Sequence, residues 1–405
     1  MTTTIINKNK KPNVPNLRFK EFQGEWEKQK LCDISSIVGR IGFRGYTTND
    51  IVEKGMGAIA LSPTNIVNNQ LTYDKENTYI SMSKYEESPE IMIKRGDVIF
   101  VKTGSTVGKV AYVDKMICKT TLNPQVVVLK DIKCDNYILS VIMSTRKFQN
   151  KIQRITVGGA VPTLSQMAMG NIFISLPAAK EQEKISKFIS LLDERIATQN
   201  KIIEDLKKLK SAIIEIEYTP NAKTTSHIGD VIEQISKRNK NNAIQNVLSV
   251  SNRQGFIKQS DQFENRNVAS EDTSNYKIVE KNDFAFNPAR INVGSISRLT
   301  TFEKGIVSPM YICFRTQENV APEYIDYFFE SKHFYCEIQK RLEGSVRQCL
   351  SFEGLCNIPL SLPSFEMQQR IGKRLFTLGQ KIKTETDLLE LLNKQKQYLL
   401  RQMFI

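Results

Sequence analysis

Ile174-Ser175-Leu176-Pro177 stands immediately before a long helical pattern, and Leu360-Ser361-Leu362-Pro363 does the same 186 residues later. The offset then holds without a gap along both helical patterns. The pairs that it matches are Gln182/Gln368, Ile185/Ile371, Lys187/Lys373, Ile196/Ile382, Leu206/Leu392 and Lys210/Lys396. The chain is therefore an internal duplication in the order globule, helix, globule, helix.

The same offset extends upstream into the two globules. Arg95-Gly96-Asp97-Val98-Ile99-Phe100 matches Lys281-Asn282-Asp283-Phe284-Ala285-Phe286, and Val107-Gly108 matches Val293-Gly294. A duplication of this kind makes one chain into a covalent pseudo-dimer with two similar but non-identical heads.

Length and composition limit the class of protein. The 405 residues suffice for two or three domains, and the net charge of +14 indicates a polyanionic partner, although an ordinary basic protein stays an alternative. A transmembrane span needs a run of about 18 apolar residues, and the sequence has none. The seven cysteines form no C-x-x-C pair, which favours a reducing compartment. We expect a soluble cytoplasmic protein with no membrane partner.

The two helical patterns, residues 178–218 and 364–405, are the clearest elements. Pro177 and Pro363 precede them, where a proline costs no helical hydrogen bond. Each carries an apolar stripe at helical spacing, which requires a partner helix. Helices of this length reach about 50–60 Å at about 1.5 Å per residue. We predict that they pack antiparallel against each other; packing of each helix only on its own globule is the alternative.

Polar residues interrupt both stripes at equivalent positions near the helix midpoints. The interruptions are Thr198-Gln199-Asn200 and Thr384-Glu385-Thr386. Around a pseudo-twofold axis, equivalent positions of antiparallel helices meet only near that axis. We therefore predict that Gln199 and Glu385 lie close together in a polar layer that fixes the register of the helix pair, as polar core positions do in coiled coils.

The remaining segments predict two mixed α/β globules, residues 17–177 and 219–363, after a disordered polar tail at 1–16. Short β-branched and aromatic runs predict strands at 91–101, 110–113 and 125–129, with counterparts at 283–286, 295–299 and 310–314. Amphipathic patterns predict one helix at 137–154 and one at 323–341. The fold class is α+β, with two similar globules separated by two long antiparallel helices that form a coiled coil.

Several motifs resemble catalytic sites without matching them. The run from Gly104 to Val110 is one residue too short between its glycines for a phosphate-binding loop, and Val110 stands where Ser or Thr would bind magnesium. The only histidines, His227 and His333, have no cysteine or histidine at metal-ligand spacing. We expect no catalytic residue, no metal site and no cofactor bound by this chain.

Basic and polar loops recur at matching places after the predicted strands. Arg and Lys bridge guanine edges and phosphates, and Asn pairs with adenine, so these loops are candidate DNA contacts; solvated surface loops are the alternative. We expect Arg40→Ala or Lys237→Ala to weaken recognition without unfolding the chain. The candidates are Arg40, Arg44, Lys102, Thr103, Ser105, Thr106 and Lys109 in the first globule, and Lys237, Arg238, Lys240, Asn287, Arg290, Asn292 and Arg347 in the second.

The combination of these motifs resembles the specificity subunits of type I restriction-modification enzymes. The run Val14-Pro15-Asn16-Leu17-Arg18-Phe19, followed by Gly24-Glu25-Trp26, is similar to the start of those subunits. Gly96 to Phe100 followed by Thr103 to Gly108 is similar to a segment of their target-recognition domains. Leu176-Pro177 and Leu362-Pro363, each opening a helix with Gln182 or Gln368, resemble their two spacer helices. The second copy lacks the Thr-Gly-Ser turn.

The resemblance implies a non-catalytic reader of double-stranded DNA. Each globule would be a target-recognition domain for one half of a split, asymmetric site. The helices would set the spacing and dock two adenine methyltransferase subunits, and motor-nuclease subunits would join them. S-adenosylmethionine, ATP and magnesium would then belong to the partner subunits. The rival interpretations are a stand-alone two-headed DNA-binding protein and a solitary methyltransferase.

Overall fold

The computed structural model describes residues 13–73, 76–220, 226–252, 254–262, 272–344 and 348–405. The chain divides into two compact units. The first unit comprises residues 1–198 and 390–405, and the second comprises 199–389. Each unit therefore combines one globule with a part of each long helix, and both boundaries between the units lie inside a long helix.

A six-stranded sheet forms the centre of the first unit. Its alternating side chains enter two different cores, because successive residues of a strand point to opposite faces. Val98 and Phe100 belong to one core, whereas Ile99 and Val101 belong to the other. In spatial order its strands are Ser36–Gly39, Val126–Lys130, Val98–Val101, Val110–Tyr112, Gln70–Leu71 and Ile66–Val67.

Two smaller sheets complete the β-structure of the first unit. Glu27–Lys30 pairs antiparallel with Phe173–Leu176, just before the first long helix. A three-stranded sheet has the spatial order Thr78–Ile80, Ala58–Leu61 and Thr120–Leu122. The short helices of this unit are Leu31–Ile34, Met82–Glu86, Asn136–Ser144, Arg146–Ile155 and Gln166–Gly170, and its 3-10 turns are Gly42–Arg44, Thr48–Asp50, Pro63–Asn65 and Pro89–Ile91.

The second unit repeats the plan with a four-stranded central sheet. In spatial order its strands are Ile232–Ile235, Ile312–Thr316, Phe284–Phe286 and Ile296–Arg298. A second sheet has the order Gly255–Lys258, Val247–Ser251, Lys304–Val307 and Lys277–Glu280, and Ser226–His227 pairs with Pro359–Leu360. The short helices are Gln259–Gln262, Pro322–Phe328, Lys332–Arg341 and Phe352–Cys356, with 3-10 turns at Ile228–Asp230 and Ile291–Val293.

The single helices predicted at 137–154 and 323–341 were wrong, because each is a pair of helices. In the first unit the break falls at Thr145, which has extended backbone angles and accepts a hydrogen bond from Phe148 N through its hydroxyl. In the second unit Ser331 caps Phe334 N in the same way. A Ser or Thr that caps a new helix ends the amphipathic pattern there.

The predicted strand at 91–101 is also shorter than expected. Only Val98–Val101 is a strand, and Pro89–Ile91 forms a 3-10 turn. Between them Gly96 turns the chain with a φ of +93°. The other five predicted strands differ from the observed ones by three residues or fewer at either end.

The duplication is visible in side-chain hydrogen bonds as well as in topology. Gln182 Nε2 donates to Pro177 O at 2.8 Å, and Gln182 Oε1 accepts from Asp135 N at 2.8 Å. At the same offset, Gln368 Nε2 donates to Pro363 O at 2.9 Å and Gln368 Oε1 accepts from Ala321 N at 3.0 Å. Each buried glutamine therefore connects the start of a long helix to its own globule.

The long helices are Ala179–Tyr218 and Phe365–Met403, of 40 and 39 residues. In the first unit the beginning of one contacts the end of the other, and Lys396 forms an ion pair with Asp193. In the second unit Arg374 lies 3.9 Å from Glu217. Within each unit the helix segments therefore run antiparallel.

The predicted proximity of the two polar midpoint residues is confirmed within the second unit. Gln199 Nε2 donates to Glu385 Oε2 at 2.7 Å and to Glu385 O at 3.0 Å. Gln199 is buried, and its hydrogen bond lowers the pKa of the Glu385 carboxyl. That this contact fixes the register of the helices stays a prediction.

Candidate DNA interface

A tight turn follows the strand Val98–Val101 of the first unit and presents five of the candidate side chains. Gly104 and Gly108 have φ values of +104° and +98°, which favour glycine. Val107 N donates to Gly104 O, and Gly108 N donates to Val101 O. Ser105 and Lys109 are exposed, whereas Lys102, Thr103 and Thr106 are half-buried. The turn is thus a compact hairpin connection that displays hydroxyl and amino groups.

A second loop, residues 157–163, lies directly against this turn. Gly104 N donates to Pro162 O at 2.9 Å, and Leu164 N donates to Lys102 O at 2.8 Å. The bonded residues are 58 and 62 positions apart in sequence, yet these backbone bonds hold the two segments side by side. We call residues 102–106 and 157–163 together the first candidate surface.

Arg40 has a structural role that the sequence did not reveal. Its side chain is buried, and Nε donates to Leu122 O at 2.8 Å while one terminal nitrogen donates to Thr121 Oγ1 at 3.2 Å. The guanidinium also lies 5.4 Å from the ring centroid of Tyr46, and burial lowers its pKa. That Arg40→Ala leaves the fold intact stays a prediction, and the buried acceptors that the variant would leave unpaired count against it.

Arg44 is partly engaged within the protein. One terminal nitrogen lies 3.3 Å from Glu87 O and 3.5 Å from Glu90 Oε1. Both Arg40 and Arg44 thus belong to contacts that hold the loop after the first strand of the central sheet.

The equivalent loop of the second unit keeps its basic side chains exposed. Lys237, Arg238 and Lys240 are exposed, and Arg238 forms a hydrogen bond with Asn275 Oδ1 at 2.9 Å. Asn239 between them is buried and holds the loop, since its amide bonds to both Ile244 N and Ile244 O. One inward asparagine therefore orients three outward cations.

A second group of candidates follows the strand Phe284–Phe286. Asn287 N donates to Ser295 O, and Arg290 N donates to Asn287 O, so the segment is a short hydrogen-bonded turn. Arg290 is exposed, and Asn287 and Asn292 are half-buried. Leu350 N donates to Pro288 O, which is the counterpart of the bond between Leu164 and Lys102. The candidate Arg347 lies outside the described residues.

The matched aspartates are turn residues, as their sequence positions indicate. Asp97 Oδ2 accepts from Lys94 N at 2.8 Å, and Asp283 Oδ2 accepts from Glu280 N at 2.7 Å. Burial raises the pKa of both carboxyls. Each has a cationic neighbour, Lys130 at 3.5 Å and Arg315 at 3.1 Å. These groups hold the turn that precedes each central strand.

The second unit contains an ion cluster that the sequence did not predict. Arg298 is buried and contacts the carboxylates of both Glu323 and Asp326. Burial raises the pKa of Asp326 to about 6. No repeat position or local motif marks this cluster, because its members come together only through the packing of a strand on a helix.

The described part of the chain also bears on metal-binding and membrane-spanning classes of function. No group of three or more His, Cys, Asp or Glu residues there is arranged to hold a metal ion. Among the helices in the same residues, none is both long and apolar enough to cross a membrane.

A family model for the type I restriction modification DNA specificity domain matches the chain twice, at residues 23–208 and 220–394. Two curated relatives come from Methanocaldococcus jannaschii. The type I restriction enzyme MjaVIII specificity subunit is 24% identical over 341 residues, 76% of this chain and 77% of the relative. The putative type I restriction enzyme MjaX specificity subunit is 23% identical over 422 residues, 96% of this chain and 93% of the relative.

Two solved structures have a similar fold. The S subunit of a type I restriction-modification system from M. genitalium superposes with a TM-score of 0.58 at 15% identity, covering 97% of this chain and 99% of that one. A chain from a study of complex assembly and conformational transition of the type I R-M system gives a TM-score of 0.50 at 15% identity, covering 94% and 97%. The two family matches coincide with the two halves of the internal duplication.

Proposed function

Because the chain belongs to the family of type I restriction-modification DNA specificity subunits and carries two copies of the specificity domain, we propose that each copy reads one half of a split, asymmetric DNA site. The single observation that supports this most strongly is the repeated frame. In both units a polar turn follows the same strand, and in both the same backbone bond fixes that turn, from Leu164 to Lys102 and from Leu350 to Pro288. Two copies of one frame with different side chains suit two different half-sites.

The long helices would set the distance between the half-sites. Each is about 60 Å long at about 1.5 Å per residue, and major-groove half-sites recur about every 34–36 Å along DNA. The contact between Gln199 and Glu385 supports a fixed register, since a slip of either helix would break both of its hydrogen bonds. A fixed register would give a fixed spacing.

The catalytic steps would belong to partner subunits. We propose that two adenine methyltransferase subunits dock on the helices and globules, and that motor-nuclease subunits join them. S-adenosylmethionine, ATP and magnesium would bind to those partners. The chain would act in the cytoplasm, where its DNA substrate and reduced cysteines are both expected.

Coexpression tests this proposal. The chain and the methyltransferase subunit of the same system are expressed separately and together, purified, and assayed for adenine methylation of DNA. We expect the two chains to copurify and to methylate only when both are present. Methylation by the chain alone would make it an enzyme, and specific DNA binding without copurification would make it a stand-alone DNA-binding protein.

A further inference from the structure

The loop at residues 157–163 in the first candidate surface is apolar and exposed. Val157 is 75% exposed and Val161 is 60% exposed. Residues 155–179 contain no Lys, Arg, Asp or Glu, although 25% of the whole chain is charged. The side chains of this segment therefore cannot form ion pairs with phosphates, and its exposed valines can make a favourable DNA contact only with an apolar feature of DNA.

The loop is held in one conformation by its own backbone. Val157 N donates to Thr163 O at 3.0 Å, and Thr163 N donates to Val157 O at 2.8 Å. Gly158 has a φ of +103°, and a Cβ there would lie 2.8 Å from Val161 O. Glycine is therefore required at position 158, and the paired backbone bonds give the tip a defined shape without a ligand, which lowers the ordering entropy that binding costs.

The apolar tip lies beside the polar turn at residues 102–106. Pro162, next to Val161, accepts the hydrogen bond from Gly104 N, and Ser105 beside Gly104 is exposed. The apolar tip and the polar turn are therefore parts of one surface. DNA that contacts the hydroxyl groups of the turn would therefore pass close to the tip.

We propose that Val161 contacts the 5-methyl group of a thymine in the half-site that the first unit reads. The proposal rests on the proposed function and deepens it. In the major groove the edges of guanine, adenine and cytosine present donors and acceptors, and thymine alone adds a methyl group. A valine placed against a polar edge would remove water from that edge without replacing its hydrogen bonds, which is unfavourable. The thymine methyl is the one base feature that matches an uncharged, rigid, apolar tip.

The test uses the full-length chain with its partner subunits. It measures binding to a DNA duplex that contains the sequence at which the complex methylates adenine. Each thymine of the half-site read by the first unit is replaced in turn by deoxyuridine, which removes only the methyl group. We expect one replacement to weaken binding about fourfold, the effect of losing one buried methyl group. Val161→Ala and Val161→Thr should lose a similar factor on the thymine duplex and nothing further on the deoxyuridine duplex.

Ile117→Ala is the matched control, because Ile117 is an apolar side chain of the same unit that is 67% exposed and lies outside the candidate surface. It should bind both duplexes as the unaltered chain does. A half-site with no thymine on either strand would overturn the inference. So would a Val161 variant that loses the same factor of affinity on the deoxyuridine duplex as on the thymine duplex, because the two losses would then be independent. Failure of the unaltered chain to bind this half-site specifically would instead overturn the proposed function.

Discussion

Arg40 connects the loop after one strand to a strand about 80 residues further along the chain. Its guanidinium satisfies Leu122 O and Thr121 Oγ1 in a buried position. Hydrogen bonds to charged groups contribute about 1.5–3 kcal/mol, and an orphaned buried acceptor adds a cost. We therefore expect Arg40→Ala to lower the free energy of unfolding by about 2 kcal/mol.

Urea unfolding followed by tryptophan fluorescence measures this, since the single tryptophan, Trp26, is buried in the first unit. Arg95→Ala is the control, because Arg95 is 77% exposed and its ion pair with Asp114 is a surface one; it should change stability by less than about 0.5 kcal/mol. An Arg40→Ala protein that is as stable as the control but reads DNA poorly would show that Arg40 contacts DNA after all.

Asp97 gives a prediction for pH. Burial raises the pKa of its carboxyl above the ordinary value of 3.8, so the folded protein binds the proton more tightly than the unfolded chain. The stability that this group contributes is then fully present below about pH 4 and decreases as pH rises through the folded pKa. Asp97→Asn keeps an oxygen for Lys94 N and removes the titration.

The difference in unfolding free energy between the two proteins is measured from pH 4 to pH 8, again by Trp26 fluorescence. We expect the unaltered protein to lose stability relative to Asp97→Asn as pH rises above 4, until the folded pKa is passed. Parallel stability curves over this range would show that the carboxyl titrates normally.

Individual contacts were the least predictable part of the candidate site. Arg40 and Lys237 both follow the first strand of a central sheet, and the sequence gives them equal weight. Arg40 is buried because residues 121 and 122 contact its side chain. Lys237 is exposed, because no comparable segment covers it among the described residues. Contacts between residues far apart in sequence cause this difference, and the local sequence pattern does not predict them.

Among the elements, the buried glutamine at the start of each long helix makes the clearest stability prediction. Gln182 accepts from Asp135 N and donates to Pro177 O. Gln182→Ala leaves both backbone groups unpaired, so we expect the free energy of unfolding to fall by about 2 kcal/mol. Gln395→Ala, an exposed glutamine of the second long helix in the same unit, should be neutral within about 0.5 kcal/mol. Equal stability of the two variants, measured by urea unfolding, would contradict a structural role for Gln182.

The starts of the long helices were predictable because Pro177 and Pro363 mark them, and the helices begin at Ala179 and Phe365. The meeting of Gln199 with Glu385 was predictable too, because both residues interrupt the apolar stripes at equivalent positions near the helix midpoints. The breaks at Thr145 and Ser331 were not, since an amphipathic pattern continues across them. A capping hydroxyl inside such a pattern is visible only once the backbone is known.

Across the whole molecule, the two copies share the same strand order and the same structural hydrogen bonds but differ in their loop side chains. The glutamine contacts, the aspartate turns and the order of the central strands recur in both units. The central sheets have six and four strands, and the second sheets have three strands in the first unit and four in the second. In the loop after the first central strand, Arg40 is buried and Arg44 is paired in the first unit, whereas the three cations of the equivalent loop in the second unit are exposed. Different side chains on one frame predict two different half-sites and hence an asymmetric target.

Methylome sequencing tests the central claim, that each unit reads its own half-site. A strain lacking the chain is complemented with the unaltered chain, with Ser105→Ala/Thr106→Ala in the first unit, or with Lys237→Ala/Lys240→Ala in the second. Sequencing of the unaltered strain should give a split, asymmetric motif with a gap of fixed length. Each double variant should relax the sequence of a different half while the gap stays constant. A continuous motif, or relaxation of the same half by both variants, would contradict the account.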